Sequence, residues 1–118
     1  FWPMSDSASS RILARALTAG DDGVLRWHTD PRLRQPSATR LAEGQVTAML
    51  RTIRAPALLV GATQGLFATQ AAHAARVSDI AQLEYVLLPG SHHLHLEAES
   101  APAVASALQA FFARHPPG

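Results

Sequence analysis

The stretch LEYVLLPGSHHLH, residues 83–95, decides how the rest of the chain is read. Its first half is a mainly apolar run, broken only by Glu84 and stopped by Pro89 and Gly90, and reads as a strand buried on both faces. Its second half sets three histidines, His92, His93 and His95, within four positions of one another directly after that run. A matching run, ALLVGA at 57–62, lies upstream, opened by Pro56 and followed by the loop TQGLF. Between the two, TQAAHAARVSDI reads as an alanine-rich helix. After them, SAPAVASALQAFFARH reads as the last helix, with Ser100 as cap and Pro102 in its first turn. Val104, Leu108, Phe111 and Phe112 recur at i, i+4, i+7 and i+8 and are predicted to face the core. Strand, helix, strand, helix implies an α/β unit with two parallel strands and a right-handed crossover. In open sheets of this kind the chemistry lies at the carboxyl ends of the strands. The loops TQGLF and GSHHLH both fall there.

The first half is less regular. SASSRILARALTAG is predicted as a helix capped by its serines, striped by Ile12, Leu13, Ala16 and Leu17, and ended by Gly20. DDGVLRWHTDPRLRQPSA is turn-rich and is expected to be extended or irregular. Within it Asp30 is placed to pair with Arg32 or Arg34 and so to stabilise a turn. LAEGQVTAMLRTIRAP is a second helix with Val46, Leu50 and Ile53 on its apolar face. Gly44 weakens it by roughly 1 kcal/mol relative to Ala, and Pro56 turns the chain out of helix at Ala55. Two strands alone cannot make a doubly wound sheet, because their edges and faces need neighbours. The chain also opens on FWPM rather than on Met as its first residue. A fragment is therefore expected, whose main partner is the missing N-terminal half of its own domain.

Composition narrows the chemistry. A chain of 118 residues suits one small domain, and 47% apolar residues argue against general disorder. A formal net charge of +1 is too weak a field to suggest nucleic acid or an anionic membrane as partner. No apolar stretch approaches the roughly 20 residues that a bilayer requires, and no secretory signal is visible, so a cytoplasmic protein is expected. The absence of cysteine excludes disulfides, thiolate nucleophiles and cysteine-ligated zinc. All ten basic residues are arginine, which excludes a Walker-loop lysine and a Schiff-base lysine.

The histidines admit three readings. His92 and His95 have an i, i+3 spacing that could begin a metal site, but further ligands are needed. The nearest acids are Glu97 and Glu99, while His28, His73 and His115 are isolated, so no metal is assigned. Histidines can also be plain loop residues. The third reading is a general base, an imidazole titrating near neutrality that takes a proton from a nucleophile and returns it to a leaving group.

IRAPALLVGATQGLF followed by LEYVLLPGSHHLHLEAESAPAVASALQAFF resembles the C-terminal half of an α/β-hydrolase. The phrase WHTDPRLRQPSATRLAEGQV resembles the region before that strand in the serine-hydrolase-like subgroup, where it belongs to or follows the cap. The resemblance runs from about Gly23 onward and rests on the order of the motifs rather than on any single one. It implies a division at residue 54: a cap remnant with connecting helices over 1–54, and a β-α-β-α segment of the hydrolase core over 55–118. It implies that His92 is the catalytic base, with His93 as competing candidate and His95 shaping the loop or packing beside it. It implies hydrolysis of an ester or related small apolar substrate, with no cofactor. The slot where many members carry the acid that orients the histidine falls on Gly65, preceded by Gln64, so the acid is not supplied there. No G-x-S-x-G elbow occurs, and Ser91 adjoins His92 without lying on such an elbow. Nucleophile and acid are thus expected outside this chain, which alone should be inactive. The alternative is a non-catalytic interaction module with the same half-fold. Trp2 and Trp27 are candidates to line a substrate pocket beneath a cap or to be plain core or domain interface, and Leu66 and Phe67 to contact an apolar substrate or simply to cover the sheet end.

Overall fold

In the computed structural model the described residues are 3–66, 68 and 71–116, with only the backbone described for 71–74. The chain runs α1 (Asp6–Ala16), β1 (Leu17–Ala19), β2 (Leu25–Trp27), a 3-10 turn (Pro31–Arg34), α2 (Glu43–Leu50), β3 (Ala57–Gln64), α3 (Ala71–Ser78), β4 (Leu83–Ser91) and α4 (Ala101–Arg114). Trp2, Phe67 and the side chain of His73 lie outside the described residues.

β3 and β4 pair in parallel, from Ala57 opposite Leu83 to Ala62 opposite Leu88. The order of elements predicts this, since parallel neighbours need a crossover such as α3. A bulge between Ala62 and Gln64 then brings Gln64 opposite Ser91. β4 therefore runs past Pro89 and Gly90, where the sequence predicts its end. Proline is tolerated at a bulge or an edge because it has no N–H to leave unpaired. Gly90 adopts φ +136°, open to glycine but strained for other residues. Its N–H donates to Thr63 Oγ1 at 3.3 Å.

Burial on both faces, expected for these strands, does not hold for β4 in this chain. Tyr85 is 44% and Leu87 51% exposed, while Glu84, Val86 and Leu88 on the opposite face are partly covered. α4 packs on the sheet through Phe111, which is buried, with Val104, Ala107 and His115 along the same row. Leu108 and Phe112, predicted to face the core, are exposed instead. A two-stranded sheet is narrow, so it meets one row of the helix rather than a broad stripe. The end of α4 is tied to the start of β4. Arg114 donates to the Glu84 carboxylate, and His115 Nε2 lies 2.8 Å from Glu84 Oε1.

The first helix stops at Ala16, four residues before the predicted stop at Gly20. Leu17–Ala19 and Leu25–Trp27 instead form an antiparallel hairpin, with Ala19 opposite Leu25. Gly20 and Gly23 serve its turn: Gly20 N–H donates to the Val24 carbonyl at 3.0 Å, and Gly23 takes φ 72°. Asp22 accepts from the Val24 N–H and from Arg26, which closes the loop. Trp27 is 63% exposed on this hairpin, so in this chain it belongs to no core. Asp30 caps the 3-10 turn by accepting from the Arg32 N–H at 2.8 Å, and it pairs with the Arg32 guanidinium. That is the turn-stabilising arrangement its position suggests. α2 is shorter than predicted, yet Val46, Leu50 and Ile53 are all partly covered, as expected of its apolar face. Glu43–Arg76 and Arg51–Asp79 ion pairs link α2 and its end to α3 and its end.

The chain is extended for its length. Its radius of gyration is 17.6 Å, where a compact domain of this size would have about 13.5 Å. Among the described residues the buried apolar side chains are Ala8, Ala62, Leu94 and Phe111.

Candidate active site

β3 and β4 end side by side, and their loops meet. Gly65 N–H donates to the Ala62 carbonyl at 3.0 Å, which folds the chain into a tight turn just past β3. A side chain at 65 would press on Ala62, whose carbonyl oxygen and Cβ would lie 3.1 Å from the added carbon. After β4 the chain coils through 92–100 in successive turns: Leu94 N–H to the Ser91 carbonyl, Leu96 N–H to the His93 carbonyl, and Ala101 N–H to the Glu97 carbonyl. These turns carry all three histidines.

His92 is partly buried at the carboxyl end of β4, and its Nδ1 accepts a long hydrogen bond, 3.5 Å, from the Leu66 N–H. Beneath it lies a cavity of about 150 Å³ lined by Leu59, Val60, Gly61, Ala62, Leu66, Tyr85 and Leu94. The pairing of the two loops at the strand ends is the juxtaposition that the order of elements predicts. The Nδ1 partner was not foreseeable. The orienting acid has no place at Gly65, and Nδ1 meets the amide of the next residue. A backbone donor has no residue-type signature, so nothing in the sequence marks it.

Tyr85 also borders this cavity, without a direct mark in the sequence. Its ring lies over Gly61, with the hydroxyl 2.5 Å from where a Cβ on Gly61 would stand. Gly61 is the available signal, because a glycine inside a strand marks a close approach. Leu66 lines the cavity at the end of the sheet.

The other histidines play different parts. His93 meets the His92 ring edge-on, with centroids 5.0 Å apart. His95 is exposed, with its ring 6.3 Å from that of His93, and the inward packing of the loop comes from its neighbour. Leu94, 5% exposed, supplies that packing. Of these neighbouring residues the apolar one takes the inside. Among the described residues no three His, Asp or Glu side chains gather as a metal would require. His28 contacts the Arg15 carbonyl, joining the hairpin to α1, well away from the cluster in sequence. Ser91 lines a larger, open hollow of about 830 Å³ between the start of α1 and residues 97–103, rather than the cavity under His92. Ser100 stands at the N-cap of α4 without capping it. Its hydroxyl donates to the Leu94 carbonyl at 2.6 Å and so braces the histidine loop.

Chemically, the arrangement presents an imidazole at the exit of a parallel sheet, above an apolar hollow, with one ring nitrogen engaged by the backbone. Such a group can carry a proton between two partners.

No family model matches the chain. It is 34% identical over 110 residues to a serine hydrolase-like protein of Dictyostelium discoideum, a match covering 83% of this chain and 30% of that relative. Two crystal structures of a hypothetical protein from Pseudomonas aeruginosa PAO1, one of them selenomethionine-substituted, superpose with TM-scores of 0.83 and 0.82. Both are 36% identical and cover 93% of this chain, but only 39% and 38% of those chains. The chain thus spans well under half the length of each of these proteins. No helix among the described residues is long and apolar enough to cross a membrane. What stands is a mixed α/β chain with a small parallel sheet, similar in sequence to part of a serine hydrolase-like protein.

Proposed function

We propose that this chain is the C-terminal part of an α/β-hydrolase that cleaves an ester or related small apolar substrate in the cytoplasm, and that His92 is its general base. Residues 1–54 then belong to the cap and its connections, and 55–118 to the hydrolase core. The nucleophile, a serine in the first instance, and the acid come from chain outside this sequence, and no cofactor takes part. One observation carries the reading: His92 stands where the two parallel strands end, against the 65–66 turn and above an apolar cavity. The exposed faces of β4 and α4, and a radius of gyration above that of a compact domain, agree with a unit completed by further chain.

The test uses the longer protein that includes this segment. Labelling by a fluorophosphonate and turnover of short-chain p-nitrophenyl esters are expected, with kcat falling about 10²–10⁴-fold in His92→Ala. An unlabelled, inactive protein, or a His92→Ala variant with full turnover, would remove the proposal.

A second reading has its own support. With Gly65 in the acid slot and a backbone amide on Nδ1, His92 could be a structural loop residue of a non-catalytic interaction module. Under that reading the longer protein has no nucleophile at a strand–helix elbow and does not label.

A further inference from the structure

The helix farthest from the histidines in sequence is fastened to their loop. Ser5 is the N-cap of α1, and its hydroxyl accepts from the Ala8 N–H at 3.1 Å. In a complete capping box the third helical residue would be Glu or Gln and would accept from the N-cap's own N–H. Here that residue is Ala8, fully buried, which has no acceptor to offer. The missing acceptor arrives from 92 residues away: Ser5 N–H donates to Glu97 Oε1 at 2.9 Å. Two turns along α1, Arg11 Nη1 donates to the Leu96 carbonyl at 3.1 Å. A carboxylate at a helix N-terminus is also favoured by the helix dipole. Other anchors of the loop are Leu66 on His92, Ser100 on Leu94 and Thr63 on Gly90.

We propose that Glu97 and Arg11 are positioning residues, which make α1 a strap that sets the turns carrying His92. The inference deepens the hydrolase reading and rests on it for its catalytic consequence alone; the strap itself is a property of the fold. Glu97 completes the capping box of α1 across the fold, so helix and loop order each other. Ala8, between these two polar fastenings in sequence, is fully buried.

Amide hydrogen exchange on the chain reads the strap without any assay of activity. In Glu97→Leu and Arg11→Ala, the amides of Ser5, Leu94 and Leu96 are expected to exchange about tenfold faster, while those of the β3–β4 ladder keep their rates. Glu97→Gln keeps an acceptor and should restore most of the protection. Unchanged loop rates in both variants, or an equal rise across ladder and loop, would overturn the proposal. In the longer protein, ester turnover separates the two readings. If the strap and the base are both right, Glu97→Leu lowers kcat at least tenfold with KM little changed, Glu97→Gln recovers it, and His92→Ala lowers it about 10²–10⁴-fold. If His92→Ala leaves turnover intact while the exchange pattern appears, the base reading fails and the strap stands.

Discussion

The Leu66 N–H donates to His92 Nδ1 across 3.5 Å, joining the turn after β3 to the first residue after β4. A neutral imidazole that accepts at Nδ1 carries its hydrogen on Nε2. A base that works through Nε2 needs the opposite tautomer, with Nδ1–H given to an acceptor. The tautomer of His92 is therefore the most informative property of this loop.

Long-range proton–nitrogen correlation spectra of the chain should show His92 with an unprotonated Nδ1. Under the proposed hydrolase reading, a carboxylate brought to that side by further chain should displace the Leu66 amide and move the hydrogen to Nδ1. A ring protonated at Nδ1 in the chain by itself would contradict the hydrogen bond from Leu66.

Gly90 should resist substitution more than Gly23. Both have positive φ, +136° and +72°, but a Cβ at 90 would lie 3.3 Å from Leu94 Cβ, whereas nothing lies within 4 Å at 23. Gly90→Ala is expected to cost about 1–3 kcal/mol and Gly23→Ala about 1 kcal/mol, measured by urea denaturation. Equal costs would mean that the Leu94 contact is immaterial.

Adjacent phenylalanines on α4 should behave differently. Phe111 is 7% exposed and Phe112 53%. Phe111→Ala should destabilise the chain by about 3–5 kcal/mol, enough to unfold a marginal unit. Phe112→Ala should stay within about 0.5 kcal/mol. The reverse order would mean that α4 turns its Phe112 row, rather than its Phe111 row, toward the sheet.

Acid should loosen the join between β4 and α4. Hydrogen bonds from Arg114 and then His115 hold the Glu84 carboxyl below its ordinary value of 4.5. Because the folded carboxyl titrates lower than the unfolded one, its contribution is complete above that ordinary value. It is lost as pH falls through the lower, folded value. Thermal midpoints should drop more steeply with acid below pH 4.5 in the parent than in Glu84→Gln, which lacks the carboxylate. Parallel curves would show that the pair does not couple to folding.

The apolar runs at 57–62 and 83–88, the helix between them and the turn residues after them were sufficient to set a parallel pair with His92 at its mouth. Such features are local: period, proline and glycine act over a few residues, and the order of elements permits few ways to pair the strands. The hairpin at 17–27 carried a comparable signal, a glycine–aspartate turn between short apolar runs, but the helical stripe running through Leu17 outweighed it. Which face of α4 is covered, that Trp27 is bare, that a backbone amide meets His92 and that Ser5 reaches Glu97 were decided only in three dimensions. Those outcomes depend on the width of the sheet and on donors and acceptors brought together across some 26 to 92 positions. Main-chain N–H groups are the same at every residue but proline, so a sequence cannot mark which of them will find a side chain.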